Sequence, residues 1–403
     1  MKEILTERPN LFEPNVYITM CVEITGKICP DKLTAAIKEA YKANEATMSR
    51  IILEHGVAYY EKLSVSGCKT MITDKNWIEL VKENEKNPFA IDEGELVRTF
   101  VIPSETDTQI MIMAHHLAGD GKSIIYFIRD IMSALAEIPL TYKPLALLTR
   151  NSFSKTNLSI PAKLYVHYCN RKWKNAVFTW QDYYGLHNKY WETFSSDIKY
   201  KTLSVAETEQ IIEKAKQIGC SVNSYLVTMF LQKYQKKCEV GIPVSIRENK
   251  NEAMSNLTSG ISINYQFDTK KTFAENAIKV HRMIKRKLQQ KRVFVLKFLA
   301  ELPATLIDAV LLNTYNCYSD RLAEQTAKIM EYSGKTRDLG ITNLTELDIP
   351  ILYGNYEIKN IIFVPPAVSY SNNIIGISTV NGKMTFSFHN MAGHYETLSQ
   401  NES

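Results

Sequence analysis

Seven consecutive residues, 115–121, hold the side chains of this chain that are best suited to proton transfer. They read His115-His116-Leu117-Ala118-Gly119-Asp120-Gly121. Histidine has an ordinary pKa near 6.5, so a neutral imidazole at pH 7 can accept a proton from a hydroxyl or an amine. The pattern of two histidines, an aspartate and a glycine would recur by chance in roughly two of 10,000 chains of this composition. His116, His115, Asp120 and Gly121 are therefore candidate catalytic residues.

The elements on either side place this segment where an active site is expected. Residues 109–114 have the pattern of a buried strand, and residues 122–137 carry a broad apolar stripe at helical spacing. A strand that ends in a tight turn before a helix holds its last side chains rigidly at the edge of a sheet. Gly119 and Gly121 allow backbone angles that other residues resist, and Asp120 can cap the helix.

The segment has three other interpretations. In the first, both histidines are ordinary core residues and Asp120 is only a helix cap, and this alternative stays open. In the second, Gly121-Lys122-Ser123 ends a phosphate-binding loop, but the required glycine five positions before Gly121 is His116, so an ATPase is not predicted. In the third, the histidines bind a metal, but neighbours on a strand point to opposite faces, so no metal site is predicted.

The rest of the chain predicts an α/β fold. Strands are expected at 16–24, 96–102, 109–114, 240–246, 260–267 and near 341 and 361, with hairpins at 51–53 and 57–63 and at 375–380 and 383–388. Helices are expected at 30–41, 77–81, 122–137, 205–218, 221–235, 273–290 and 299–312. The periodicity fades between 140 and 200. We therefore expect an N-terminal subdomain at 1–160, a crossing segment at 161–200 and a C-terminal subdomain at 201–403.

Composition excludes several classes of protein. The chain has 403 residues, 45% hydrophobic and 23% charged, which is ordinary for a folded domain. Its net charge of +5 shows no clustering that would predict nucleic-acid binding. Seven scattered cysteines predict neither a zinc site nor a disulfide framework, so we expect reduced thiols and a cytoplasmic location. The most apolar region, 294–313, is interrupted by charged residues and proline, so no membrane span is predicted.

The motif, in this position, resembles that of the CoA-dependent acyltransferase superfamily. This superfamily includes chloramphenicol acetyltransferase, alcohol acetyltransferases and the condensation domains of nonribosomal peptide synthetases. Weaker likenesses lie at 87–92, at 96–98, at Val244-Ser245-Ile246-Arg247 and at 341–348. The sequence also departs from the family, because Ser255 stands where a glycine usually precedes the asparagine at Asn256, and the plant DFGWG motif is absent. Thr342 and Thr345 replace the usual serine and glycine around Asn343.

The resemblance implies a role for each matching residue. His116 would be the general base, His115 would support the turn, and Asp120 would form a structural ion pair with Arg247. The implied architecture is an α+β sandwich of two chloramphenicol-acetyltransferase-like subdomains with a substrate tunnel at their interface. The candidate substrate contacts are Asn343, Thr342, Ser369 and Asn256.

The resemblance also implies an acyltransferase. The donor would be acyl-CoA or a phosphopantetheine thioester, used as a co-substrate with no permanently bound cofactor, and the acceptor a small molecule with a hydroxyl or an amine. Because no Gly-x-Ser-x-Gly occurs, transfer is expected without an acyl-enzyme. Two alternatives remain: a free-standing condensation enzyme that uses a separate carrier protein, and a non-catalytic docking module of the same fold. The basic run at 279–292 suits an anionic donor, and it also suits a solvated helix face.

Overall fold

The computed structural model describes residues 1–403 except 175, 235, 249–250, 292, 333–336 and 394–403. The strands are β1 Lys2–Glu3, β2 Tyr17–Thr25, β3 Ser49–Glu54, β4 Val57–Lys62, β5 Lys69–Ile72, β6 Val97–Pro103, β7 Asp107–His115, β8 Phe194–Thr202, β9 Cys238–Ser245, β10 Thr258–Tyr265, β11 Leu339–Glu346, β12 Leu352–Tyr353, β13 Tyr356–Val364, β14 Asn373–Val380 and β15 Lys383–Gly393. The helices are α1 Pro30–Ala43, α2 Trp77–Glu85, α3 Gly121–Leu135, α4 Ile160–Lys172, α5 Trp180–Thr193, α6 Val205–Ile218, α7 Val222–Tyr234, α8 Phe273–Lys291, α9 Phe294–Glu301, α10 Ala304–Thr314 and α11 Arg321–Met330.

One mixed sheet, which we call the N-terminal sheet, has the strand order β12-β13-β2-β7-β6-β5. β2 and β6 pair antiparallel on either side of β7, and Tyr17 of β2 lies opposite His115 at the end of β7. α1 and α3 pack against each other, and the apolar stripe of α1 is buried, including Leu33, Ile37 and Tyr41. The strand that carries the motif therefore lies in the middle of a sheet.

A second mixed sheet, the C-terminal sheet, has the order β10-β9-β11-β14-β15-β8. The layer of α6, α7 and α8 accompanies it, with contacts from α6 to β15, from α7 to β9 and from α8 to β10. Its hairpin β14–β15 turns at Asn381 and Gly382, whose φ values of 52° and 69° match the predicted type I′ turn. The α/β class predicted from the sequence is the class observed.

Strands from distant parts of the chain tie the two sheets together. β13 leaves the C-terminal part of the chain and pairs with β2, with Val364 opposite Thr19. β8, which falls across the end of the predicted crossing segment, pairs with β15 in the C-terminal sheet. The division at 1–160, 161–200 and 201–403 stays a prediction. Because β13 pairs with β2, a strand from the predicted C-terminal subdomain belongs to the N-terminal sheet.

Several regions differ from the sequence-based expectations, which included neither β5 nor α11. The segment 140–200 holds α4 and α5, which the sequence did not reveal because their aromatic and basic residues are spread around the helices. The helix predicted at 299–312 was wrong, since the chain forms α9 and α10 with Pro303 between them. Proline lacks an N–H donor and clashes with the preceding turn, so a helix cannot continue through this position without a kink.

The surface shows cavities away from the motif. A cavity of about 420 Å³ lies at the C-terminal ends of α1 and α3, beside Tyr142, and another of about 490 Å³ lies beside Cys317. Neither of these two cavities includes His116, so the tunnel implied by the resemblance stays a prediction. Within the described ranges, no helix combines the length and the apolar character needed to cross a bilayer.

Candidate functional site

The two motif histidines lie at the end of β7 with different surroundings. His115 is fully buried, and its Nδ1 accepts a hydrogen bond from the backbone N–H of Leu117 at 3.2 Å, which fixes the turn. The backbone N–H of His116 donates to the carbonyl of Val16 at 3.1 Å, and the His116 side chain is partly exposed. Tyr60 donates its hydroxyl to the Leu117 carbonyl at 2.8 Å. The turn is therefore held from both sides.

The ring of His116 is arranged as a neutral base. Its Nδ1 is buried and has no partner among the side chains and backbone of other described residues. Burial lowers the pKa of His116, while the nearby Asp120 carboxylate and the residue's own backbone carbonyl act in the opposite direction. Nδ1 is enclosed by the protein, whereas Nε2 is not among the buried unpartnered atoms, so Nε2 is the nitrogen placed to meet a substrate.

Asp120 connects the motif to the other half of the chain. It caps α3, and its Oδ1 lies 2.9 Å from Nη2 of Arg247. Its Oδ2 accepts hydrogen bonds from the backbone N–H of Leu257 at 2.9 Å and from the hydroxyl of Thr258 at 3.1 Å. Burial acts to raise the pKa of Asp120, but Arg247 and these donors outweigh it, so the pKa is lowered. The structure thus brings the predicted pair together, in a larger polar cluster.

Ser123 is a second link in this cluster. Its hydroxyl accepts from Nη2 of Arg247 at 2.5 Å and contacts the backbone carbonyl of Ser255 at 2.8 Å. The other terminal nitrogen of Arg247, Nη1, donates to the carbonyls of Asn251 and Ala253 at 3.0 Å each. Sequence reasoning missed Ser123 as a link, although its position after the motif suits a capping box. Residues 251–258 and the motif turn are therefore held as one unit.

The glycine at 119 is required by space as well as by backbone angle. Its φ is +155°, and an added Cβ would lie 2.6 Å from the Cβ of Ser123 and 3.1 Å from the backbone nitrogen of Ser255.

Gly119→Ala is expected to lower the free energy of unfolding by roughly 1–3 kcal/mol, because the turn and α3 must separate. Urea denaturation measures this loss. Gly260→Ala is the control, since an added Cβ there meets no atom within 4 Å, and equal losses in both variants would contradict the expectation.

The predicted substrate contacts fall into two groups. Asn256 and the strand β11 with Thr342 and Asn343 lie beside the motif. Asn256 lies between Ser255 and Leu257, whose backbone N–H groups donate to Ser123 and Asp120. Leu344 would lie 3.0 Å from a Cβ on Gly121. Oδ1 of Asn256 is buried without a partner among the described residues. Oδ1 of Asn343 instead accepts the backbone N–H of Thr345 at 2.7 Å.

Ser369 belongs to a different, buried cluster. Its hydroxyl donates to Oε1 of Glu13 at 2.6 Å and also contacts the hydroxyl of Tyr315. Burial raises the pKa of Glu13 to about 7, against the opposing hydrogen bonds from Ser369. Sequence reasoning missed Glu13, because no local pattern marks a partner 356 residues away. Ser369 is thus engaged within the protein, at the contact of the N-terminal segment with the loop after β13.

A further histidine, His187 of α5, lies behind the motif strand. Its ring is tilted against that of Tyr17 at 6.2 Å, and Tyr17 in turn contacts the ring of His115 at 5.9 Å. Neither ring nitrogen of His187 makes a regular hydrogen bond to a described residue. Burial lowers the pKa of His187 to about 3, and it does the same for His115. Sequence reasoning missed His187 because α5 itself was not predicted.

These buried histidines predict a sensitivity to acid. Their pKa values are about 3 in the folded protein and near 6.5 in the unfolded chain. As the pH falls from 6.5 toward 3, only the unfolded chain takes up the protons, so stability is lost across this window. His187→Phe is expected to remove part of this loss, up to about 1.4 kcal/mol per pH unit. Urea unfolding at pH 7.5 and pH 5 measures it, with the exposed His167→Phe as control; an unchanged pH dependence in His187→Phe would contradict it.

The described residues contain no cluster of three or more His, Cys, Asp or Glu side chains that could hold a metal ion. The candidate site consists of one partly exposed imidazole, a capped helix N-terminus and the polar cluster of Asp120 and Arg247. Such a site can accept a proton and position a substrate.

Comparison of the structure with solved structures finds the same fold in biosynthetic proteins. Polyketide synthase associated protein 5 from Mycobacterium tuberculosis matches with a TM-score of 0.61 at 13% identity, over 98% of this chain and 93% of that one. The first condensation domain of the CDA synthetase matches with a TM-score of 0.62 at 11% identity, over 96% and 87%. The epimerization domain from the third module of tyrocidine synthetase B matches with a TM-score of 0.58 at 14% identity, over 95% and 87%.

These likenesses establish the fold, which is the one found in condensation domains. No family model matches the sequence, and no curated protein matches it. The fold implied by the resemblance of the motif is therefore the fold observed, at identities of 11–14%. The matches cover nearly the whole chain, so the likeness extends to both of its halves.

Proposed function

We propose that this protein transfers an acyl group from a thioester to a hydroxyl or an amine of a small molecule. One observation carries the proposal: the partly exposed His116 ring, with a lowered pKa, lies at the end of a central strand in a fold shared with condensation domains. A base with a lowered pKa stays neutral at pH 7 and is ready to accept a proton.

The reaction follows from the placement of this ring. Nε2 of His116 takes the proton from the acceptor's O–H or N–H as its oxygen or nitrogen attacks the thioester carbonyl. The C–O or C–N bond forms, the tetrahedral oxyanion collapses, and the C–S bond breaks. The thiolate leaves and takes up the proton that His116 holds. No serine or cysteine nucleophile takes part, so no acyl-enzyme forms.

The donor is proposed to be acyl-CoA. The buried Oδ1 of Asn256 is a candidate contact for a donor group on the substrate, since it lies beside the motif without a partner. A buried acceptor left unpaired costs free energy that a bound ligand can recover. A carrier-bound phosphopantetheine thioester presents the same reacting atoms and suits the same site. This alternative donor is supported by the condensation-domain fold.

Thr342 and Asn343 are proposed to line the acceptor side. The protein is proposed to act in the cytoplasm.

Thiol release tests the proposal. The purified protein is mixed with a panel of acyl-CoA thioesters and of alcohols and amines, and the free thiol is read with a thiol reagent. We expect release that requires an acceptor and disappears in His116→Ala, while the exposed His167→Ala retains it. Turnover only with acyl-carrier protein would replace CoA by a carrier as the donor source. Absence of turnover with every donor would favour the non-catalytic docking module.

A further inference from the structure

The helix α4 exposes large apolar side chains on the outside of the protein. Ile160, Leu164 and Tyr168 have exposed fractions of 75%, 66% and 45%. Their spacing of four residues places them on one face of the helix, and we call them the apolar strip of α4. Val166 and Cys169 are buried on the other side, so the helix is anchored and its orientation is fixed. This exposed strip is unusual for a surface helix, whose outer face is normally polar.

The surroundings of the strip are basic. At 3.6 residues per turn, Lys163 and Lys172 lie on opposite sides of the strip, and Arg171 continues it. No ion pair joins these three residues to any part of the chain that the structure describes. Between Glu137 and Asp182 the sequence contains no acidic residue. The basic residues in this tract are Lys143, Arg150, Lys155, Lys163, Arg171, Lys172 and Lys174.

The neighbouring helix does not neutralise this charge. α4 packs beside α9, where the rings of Tyr165 and Phe298 stack at 6.5 Å and Asn170 donates to the backbone carbonyl of Glu301 at 3.0 Å. The Glu301 carboxylate is 3.1 Å from Nζ of Lys297. Because this acid already has a cation beside it, the surface around α4 keeps its positive charge.

We propose that α4 binds the surface of an anionic lipid bilayer. The apolar strip enters the boundary between headgroups and acyl chains, and Lys163 and Lys172 reach the lipid phosphates from either side. Helices that lie in this boundary combine an apolar face with flanking basic residues. Lysine stems can lie along the apolar surface while their charges stay in water. The three side chains of the strip are exposed to solvent along two turns of the helix, which suits contact with a flat bilayer.

Vesicle flotation of the full chain tests this proposal. We expect the protein to float with vesicles of phosphatidylcholine and phosphatidylglycerol in equal amounts, and not with phosphatidylcholine alone. Added salt should weaken binding, since the Debye length falls to about 3 Å at 1 M. Leu164→Asp should reduce the partition coefficient about tenfold or more. Lys163→Glu combined with Lys172→Glu should have a similar effect, since each basic residue contributes about fivefold.

Two matched controls locate the effect on α4. Leu352→Asp replaces an equally exposed leucine, at 62%, in β12. Arg282→Glu combined with Lys285→Glu reverses exposed charges on α8. Both should bind like the wild type, and all variants should keep their melting temperatures. The proposal is overturned if Leu164→Asp binds normally, if the controls lose binding equally, or if neutral vesicles bind as well as anionic ones. Binding to an acidic carrier protein without binding to vesicles would replace the bilayer by a protein partner.

Discussion

Arg247→Ala is expected to lower the free energy of unfolding by about 3–5 kcal/mol. The side chains of Arg247 and Asp120 are only 6% and 4% exposed, so the substitution leaves a buried carboxylate without its cation. The carbonyls of Asn251, Ala253 and Ser255 lose their guanidinium donor at the same time. Urea denaturation at pH 7 measures the loss, and thiol release should fall with it because the motif turn is no longer held.

The chain offers a matched control for this prediction. Arg50 pairs with Glu61 at 2.6 Å, but the two side chains are 43% and 36% exposed, and such surface pairs contribute about 0–1 kcal/mol. Arg50→Ala should therefore have little effect. Asp120→Ala added to Arg247→Ala should cost much less than it does alone, because the two residues act as one unit. Equal losses for Arg247→Ala and Arg50→Ala would contradict the ion-pair role.

Elements with complete local signals were predicted well. α6 has the predicted bounds, because Ser204 and Glu207 form a capping box at its start and Gly219 ends it in the left-handed conformation. The apolar run from 299 to 312 predicts one helix, because its side chains have helical spacing. Pro303 lies between α9 and α10. The helix is interrupted there because proline has no backbone N–H to donate.

Contacts between distant residues could not be predicted in the same way. Strand periodicity shows that residues near 361 form a strand, but it does not say that β13 pairs with β2. The contact of Glu13 with Ser369 likewise depends on the folded path of the chain. The motif was visible because its residues are contiguous. The pairing of Arg247 with Asp120 is predicted by the family resemblance. The hydrogen bond from the backbone N–H of Leu257 to Asp120 cannot be identified from the sequence.

The polar cluster holds the motif turn with residues from both halves of the protein. Asp120 and Ser123 come from the N-terminal half, and Arg247 and the backbone of residues 251–258 come from the C-terminal half. Leu344 packs against the position of Gly121 from a second side. A displacement of one half would therefore move the turn that begins at His116. Such a displacement would also move His116, the base of the proposed reaction.

His116→Ala is expected to reduce kcat for acyl transfer about a thousandfold, equivalent to roughly 4 kcal/mol of transition-state stabilisation. The imidazole is the group of the motif that is both partly exposed and arranged to accept a proton, and alanine leaves the acceptor's proton without a base. Stability should change little, because Nδ1 of His116 has no partner outside its own residue. Thiol release under saturating donor and acceptor measures kcat, with His167→Ala as a control on the surface.

The pH dependence separates a base from a merely structural residue. Because burial lowers the pKa of His116, the wild-type rate should persist below pH 6.5 and fall only as the pH passes through that lower value. The residual rate of His116→Ala should lack this fall and should rise with hydroxide concentration instead. A variant that keeps the wild-type pH profile with a uniformly reduced rate would assign the proton transfer to another group. A rate close to that of His167→Ala would exclude His116 as the base.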